Sequence, residues 1–299
     1  MPDRRYDWLG DVPLQWPTFL DTPPEENDPE SARVFIIPVP YDSTTSFKGG
    51  AREGPEAIIR ASRHLEDYDH ELGRDISLVG IHTTPEIAPD VSGPEAMVGR
   101  IRRAVTSAAQ HGKLVALLGG EHTIAIGAVH ALKERHDDLS VLYLDAHADL
   151  RDEYMGARWG HACVARRICE VAPIVQVGVR SLSEEENDFI QAQGIPVYFW
   201  RSGLSDVEDI APSVADQLTR HVYVSIDMDV FDPAVVSAVG TPEPGGMLWH
   251  EVTSLLRTVA EGREIVGFDI SELCPPEGPT AGAFTAARLA YKLMGYSIT

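Results

Sequence analysis

The ten residues VLYLDAHADL (141–150) decide the fold. Val141 to Leu144 is apolar at every position, so neither alternating face is suited to water. A strand of that kind lies buried between two layers, as the strands of a helix-covered parallel sheet do. The run then gives way to Asp145, His147 and Asp149, polar groups placed where a buried strand ends. The pattern recurs on either side. LVALLGGEHT (114–123) leads an apolar strand into His122, and VYVSIDMDVFDP (222–233) leads another into Asp227 and Asp229. Further apolar runs at Val34–Val39, Ser77–Ile81, Ile174–Val179, Ile195–Phe199 and Ile265–Ile270 predict five more strands. Amphipathic stretches separate them, among them Pro94–Gln110, Ile124–Arg135, Glu184–Gln193, Val207–Thr219 and Trp249–Glu261. Strand and helix alternating this often predict an α/β fold with a parallel sheet covered on both faces.

No linker interrupts the alternation, so residues 33–299 are expected to form one domain. Residues 1–32 read differently: from Asp21 to Glu30 there are five acids, three prolines and no base, the composition of an extended arm. With 25 Lys and Arg against 46 Asp and Glu the net charge is −21, which counts against nucleic acid or an anionic membrane as partner. No apolar run approaches the roughly 18 residues of a membrane span. The first residues carry no apolar segment of the kind that marks secretion. Cys163, Cys169 and Cys274 are odd in number and lack metal-binding spacing, which fits a reducing cytoplasm.

The strand ends gather the chemistry. Ligands of open parallel sheets bind beyond the carboxyl ends of the strands, and there stand His122, Asp145, His147, Asp149, Asp227 and Asp229. In extended backbone, residues two apart share a side, so Asp145, His147 and Asp149 converge if the strand geometry persists, as do Asp227 and Asp229. Six ligands are too many for one four-coordinate ion and suit two ions bridged by carboxylates. Oxygen-rich ligation favours Mn²⁺, and four aspartates balance two divalent charges.

These segments resemble those of the ureohydrolase family, the arginases and agmatinases. The family motifs GGEH, DAHxD and SxDxDxxDP stand in order at 119–122, 145–149 and 225–233, with GTPEPGG at 240–246. The resemblance runs from about residue 33 to about 295. It implies a three-layer α/β/α fold with an eight-stranded, mostly parallel sheet. It implies two Mn²⁺ per subunit, one held by His122, Asp145, Asp149 and Asp227, the other by Asp145, His147, Asp227 and Asp229, with a hydroxide between them as nucleophile. Asp149 takes the role of relaying a proton to the departing amine. Glu272, in FDISE (268–272), aligns with the glutamate that orients the guanidinium, and His161 with a histidine that shuttles protons to bulk water, although Ala162 follows it where the family usually has Gly. The resemblance also implies a homo-oligomer, trimeric or hexameric.

The expected substrate is a cationic guanidino compound. The loop Arg151-Asp152-Glu153 lacks the Asn and Thr with which arginases hold the amino-acid end of arginine, and Arg180-Ser181 replaces their Asp-Pro-Gly stretch. Agmatine is therefore the leading substrate, with Asp152 or Glu153 receiving its distal amine. Arg151, if it lines the pocket, favours a guanidino acid such as guanidinobutyrate; aminopropylagmatine and arginine stay open. Two other classes compete. A deacetylase-like hydrolase uses one zinc and has no need of His122, Asp149 and Asp229 together. A metal-binding regulatory protein on the same scaffold has no need of Asp149, His161 and Glu272.

Overall fold

The computed structural model describes residues 14–298. Among the described residues ten strands occur, β1 (Val34–Val39), β2 (Tyr68–Asp69), β3 (Arg74–Asp75), β4 (Ile81–Thr83), β5 (Leu114–Gly119), β6 (Ser140–Leu144), β7 (Ile174–Val177), β8 (Val197–Tyr198), β9 (His221–Asp227) and β10 (Glu264–Ser271). Eight of them make one sheet in the order β4-β1-β5-β10-β9-β6-β7-β8, and every pairing in it is parallel. The helices are α1 (Gly54–Ser62), α2 (Pro94–Gln110), α3 (Ile124–Lys133), α4 (Val164–Cys169), α5 (Glu184–Gln193), α6 (Val207–Gln217), α7 (Trp249–Gly262) and α8 (Ala281–Ser297).

Alternation along each strand divides the core in two. Ile36, Ala116, Leu142 and Val224 pack with α1, α6, α7 and α8 on one face. Ile37, Leu117, Val141 and Tyr223 pack with α2, α3 and α4 on the other. This is the expected three-layer architecture. Helix starts follow local chemistry: Pro94 opens α2, and Ser183 with Glu186 closes a capping box on α5.

One expected strand is corrected, and one hairpin is additional. Ser77–Ile81 is not a strand: Ser77–Val79 forms a 3₁₀ turn, Leu78 points to solvent, and β4 begins only at Ile81. The short β2–β3 hairpin carries no apolar alternation and was not anticipated. The described part of the N-terminal segment lies against the domain. Phe19 is buried in the core, Leu20 N–H donates to Ser62 Oγ at 2.8 Å, and Thr83 N–H donates to Asn27 Oδ1 at 2.7 Å. Residues 1–13 of the expected arm lie outside the described residues.

Candidate active site

Four neighbouring strands at the centre of the sheet, β5, β10, β9 and β6, carry His122, Glu272, Asp227 and Asp145 at their carboxyl ends. Parallel register brings them level: Ser271 pairs with Asp227, and Leu144 with Ile226. Gly120 is required here, because a Cβ on it would stand 1.8 Å from the carbonyl oxygen of Tyr41.

The extended geometry assumed from sequence does not persist beyond the strands. Asp149 adopts a left-handed backbone (φ 51°), and Met228–Val230 forms a 3₁₀ turn. The side chains converge nonetheless, because backbone N–H groups hold one oxygen of Asp145, Asp227 and Asp229. His147 N–H donates to Asp145 Oδ1 (2.6 Å), Asp229 N–H to Asp227 Oδ1 (2.8 Å) and Ala146 N–H to Asp229 Oδ1 (3.1 Å). The second oxygens face histidines: Asp145 Oδ2 and Asp227 Oδ2 lie 3.0 and 3.5 Å from His122 Nδ1, and Asp229 Oδ2 lies 3.0 Å from His147 Nδ1. Two groups thus have metal-ligand spacing, His122–Asp145–Asp227 and Asp145–His147–Asp229, with Asp145 common to both. Asp149 stands apart, 3.7 Å from His122 Nδ1, and accepts a 2.7 Å hydrogen bond from the Tyr143 hydroxyl.

The donor set fits cations. Ser225 Oγ donates to Asp269 Oδ2 at 2.8 Å, so it accepts from His122 Nε2, also at 2.8 Å. That fixes the tautomer and leaves the Nδ1 lone pair turned toward carboxylate oxygens. Acceptors facing acceptors need a proton or a metal ion between them. Without metal a proton serves: burial opposes the charge on His122, but Asp145 and Asp227 outweigh it and hold its pKa well above the usual range. The carboxylates show the same excess of negative charge. Burial raises Asp227, with Asp229 and Asp145 adding to it, and burial with Asp145 raises Asp149. Ser225, Asp269 and Tyr143 stand within the quoted segments but received no role from sequence, because each lies in a strand, where a polar side chain gives no sign of its partner.

Glu272 and His161 face the same cavity, of about 260 Å³. Glu272 also has a left-handed backbone (φ 60°). Its N–H donates to Gly120 O (2.8 Å), and its Oε1 accepts from His122 N–H (2.6 Å). Burial, with Glu121 beside it, pushes its pKa up to about 8. Left-handed conformations at non-glycine residues cost of order 1–3 kcal/mol; of the five among the described residues, two fall on Asp149 and Glu272, and the others are Leu20, Asp21 and Met155. His161 is set by Thr44. Thr44 Oγ1 donates to Glu121 Oε1 (2.9 Å), so it accepts from His161 N–H (3.0 Å) and from Nδ1 (3.1 Å). The other ring nitrogen, Nε2, is thereby an acceptor near Ser46 Oγ (3.2 Å). Burial, with His147 adding its charge, lowers the His161 pKa to about 4, below the value near 6.5 that a free imidazole brings.

Of the substrate-loop residues, Arg151 lines the cavity and Asp152 and Glu153 do not. Asp152 is held by Arg158 (2.9 Å) and Arg167 (2.5 Å), and Glu153 is exposed. Besides Asp149, Asp227 and Glu272, the cavity wall carries Glu186, which sequence reasoning passed over as part of a helix start.

A parallel α/β/α sheet with two histidine–aspartate groups sharing one carboxylate at its central strand ends defines an arginase-like protein with a candidate metal centre. The Arginase family model matches residues 32–295, and the chain belongs to that family of ureohydrolase enzymes. It is 38% identical to N(1)-aminopropylagmatine ureohydrolase from a Synechocystis species over 272 residues, 89% of either chain. With a Thermus thermophilus protein of the same name it shares 40% identity over 281 residues, 92% of either chain. Its fold matches the crystal structure of agmatine ureohydrolase of Thermoplasma volcanium with a TM-score of 0.86 and 29% identity, covering 97% of both chains. Among the described residues no helix is long and apolar enough to cross a membrane.

Proposed function

We propose that the protein hydrolyses the guanidino group of agmatine, releasing urea and putrescine, at a site holding two Mn²⁺ ions. The observation that carries this reading is the shared carboxylate of Asp145, one oxygen facing His122 and the other on the side of His147, beside a glutamate in the same cavity. His122, Asp145, Asp149 and Asp227 would hold one ion, and Asp145, His147, Asp227 and Asp229 the other. When bound, the ions supply a nucleophilic hydroxide at neutral pH.

The chain's own groups do the rest. Glu272 has one carboxylate oxygen committed to His122 N–H, which leaves the other to accept from a guanidinium N–H and orient the carbon for attack. Asp149, steadied by Tyr143, takes the proton released on attack and gives it to the departing amine. His161, with Nδ1 committed to Thr44, carries protons between the cavity and bulk water through Nε2. Free cysteines at 163, 169 and 274 support a cytoplasmic setting, and the family resemblance supports a homo-oligomer, trimer or hexamer.

A second substrate, N(1)-aminopropylagmatine, is favoured by the names of the Synechocystis and Thermus relatives. It presents the same guanidino end on a longer amine. A urea assay on agmatine, N(1)-aminopropylagmatine, arginine and guanidinobutyrate tests the reading. Turnover of either agmatine compound well above the two amino or guanidino acids is expected; preference for arginine or guanidinobutyrate would sink it.

A further inference from the structure

The turn at 120–122, just past β5, ties together side chains with separate tasks. His122 belongs to one of the two metal-ligand groups, its N–H donates to Glu272, and Glu272 N–H returns to the carbonyl of Gly120. The remaining acid of the turn, Glu121, is fully buried and belongs to neither group. It faces the loop after β1 instead. Its Oε2 accepts from Ser43 N–H and Thr44 N–H, both at 2.7 Å, and its Oε1 accepts from the Thr44 hydroxyl at 2.9 Å. A carboxylate that takes three donors acts as an acceptor only, and that fixes the direction of the Thr44 O–H. With its proton on Glu121, Thr44 Oγ1 accepts from His161 N–H and from the ring at Nδ1. The same loop reaches the other side of the ring, where Ser46 Oγ lies 3.2 Å from Nε2, in position to donate to it.

We propose that Glu121 is a positioning residue for proton transfer: acting through Thr44, it keeps the ring proton of His161 on Nδ1 and leaves Nε2, beside the cavity residue Ser46, open to take a proton. The proposal rests on the reading of His161 as the proton shuttle. An acid is needed here, and an amide of the same size would not serve. Glutamine at 121 would keep both backbone bonds with its carbonyl oxygen and turn its N–H toward Thr44 Oγ1. The Thr44 hydroxyl would then have no acceptor on that side. Its proton would swing to His161 Nδ1 and drive the ring proton to Nε2, so the shuttle would lose its accepting nitrogen. The relay therefore has a direction, and Glu121 sets it.

Two readouts test this. In ¹⁵N spectra of the metal-free full chain at neutral pH, the wild-type His161 signal, assigned by its loss in His161→Ala, should report the Nδ1–H form, and Glu121→Gln should move it to the Nε2–H form. In the manganese-loaded protein, Glu121→Gln and Thr44→Val should lower kcat about tenfold or more for whichever guanidino substrate turns over, with KM within about twofold. Imidazole added to the buffer should restore most of that loss, because a soluble base takes the proton in place of His161. Thr44→Ser keeps the hydroxyl and should stay within about twofold of wild type. A wild-type His161 in the Nε2–H form, or a tautomer unchanged by Glu121→Gln, would overturn the relay. So would losses that imidazole does not restore, which is what a merely structural role predicts. If Glu121→Gln fails to fold, Thr44→Val against Thr44→Ser makes the same comparison. Full turnover in His161→Ala would overturn the shuttle reading and the proposal with it. A His161→Ala protein that loses turnover and regains it with imidazole, beside Glu121→Gln and Thr44→Val proteins at the wild-type rate, overturns the relay alone.

Discussion

Asp149 shows how much depends on single residues here. It is held in a left-handed conformation, bonded to Tyr143, and placed beside the two ligand groups without belonging to either. Asp149→Asn keeps the size and the acceptor for Tyr143 but cannot take a proton. Urea turnover should fall by about 10²-fold or more, with the melting temperature nearly unchanged; full activity in the variant would remove Asp149 from proton transfer. The Ser225–Asp269 relay makes a different prediction. Ser225→Ala leaves His122 Nε2 without its acceptor, and metal affinity measured by calorimetry should drop about 10–100-fold. At this scale the sequence was informative about ligands and silent about what orients them. His122, Asp145 and Asp227 stand out at the ends of apolar runs, whereas Ser225 and Asp269 are single polar residues within strands, and only the register of β9 and β10 shows that they meet.

Arg180 acts at the scale of elements. Lying just past β7, it donates to the carbonyls of Gly178 (3.2 Å), Asp229 (2.7 Å), Val230 (3.3 Å), Phe231 (3.3 Å) and Glu243 (2.8 Å). It therefore binds the turn after β9 to the loop that follows and keeps Asp229 facing His147. Replacing it with Met strands several buried carbonyls, and a loss of about 3 kcal/mol or more is expected in chemical denaturation, with weaker metal binding. An unchanged midpoint would show that the loops hold themselves. The elements themselves were largely legible. The boundaries of α2 and α5 follow from Pro94 and from the Ser183–Glu186 box, which are local signals. The misread segment at Ser77–Ile81 had the right composition for a strand, but Leu78 lies at the surface and nothing in the residues alone reveals that. The left-handed turns at Asp149 and Glu272 were equally hidden, because tertiary context and not residue type imposes them.

Across the whole molecule, negative charge sets the conditions under which the site works. The −21 net charge attracts a cationic substrate, so kcat/KM for agmatine should decline as salt is added. Burial of like charges at the centre of the sheet has a further consequence for stability. Asp149, Asp227 and Glu272 have folded-state pKa values above their unfolded ones, the last at about 8. Their contribution to the metal-free protein is fully present below the unfolded values, near 4, and is lost as pH rises through the folded values, near 8 for Glu272. Divalent metal reverses this by answering the charge and competing with the protons. The rise in melting temperature on adding Mn²⁺ should therefore be larger at pH 8 than at pH 5.5; a rise that shrinks with pH would mean that Asp149 and Asp227 do not bind the metal. The most direct test of the central claim is urea release from agmatine and N(1)-aminopropylagmatine, followed as the metal-free protein is titrated with Mn²⁺ and the bound metal is counted. The proposed site predicts activity that reaches its plateau at two ions per chain. A protein carrying two ions per chain that releases no urea from either compound would contradict it.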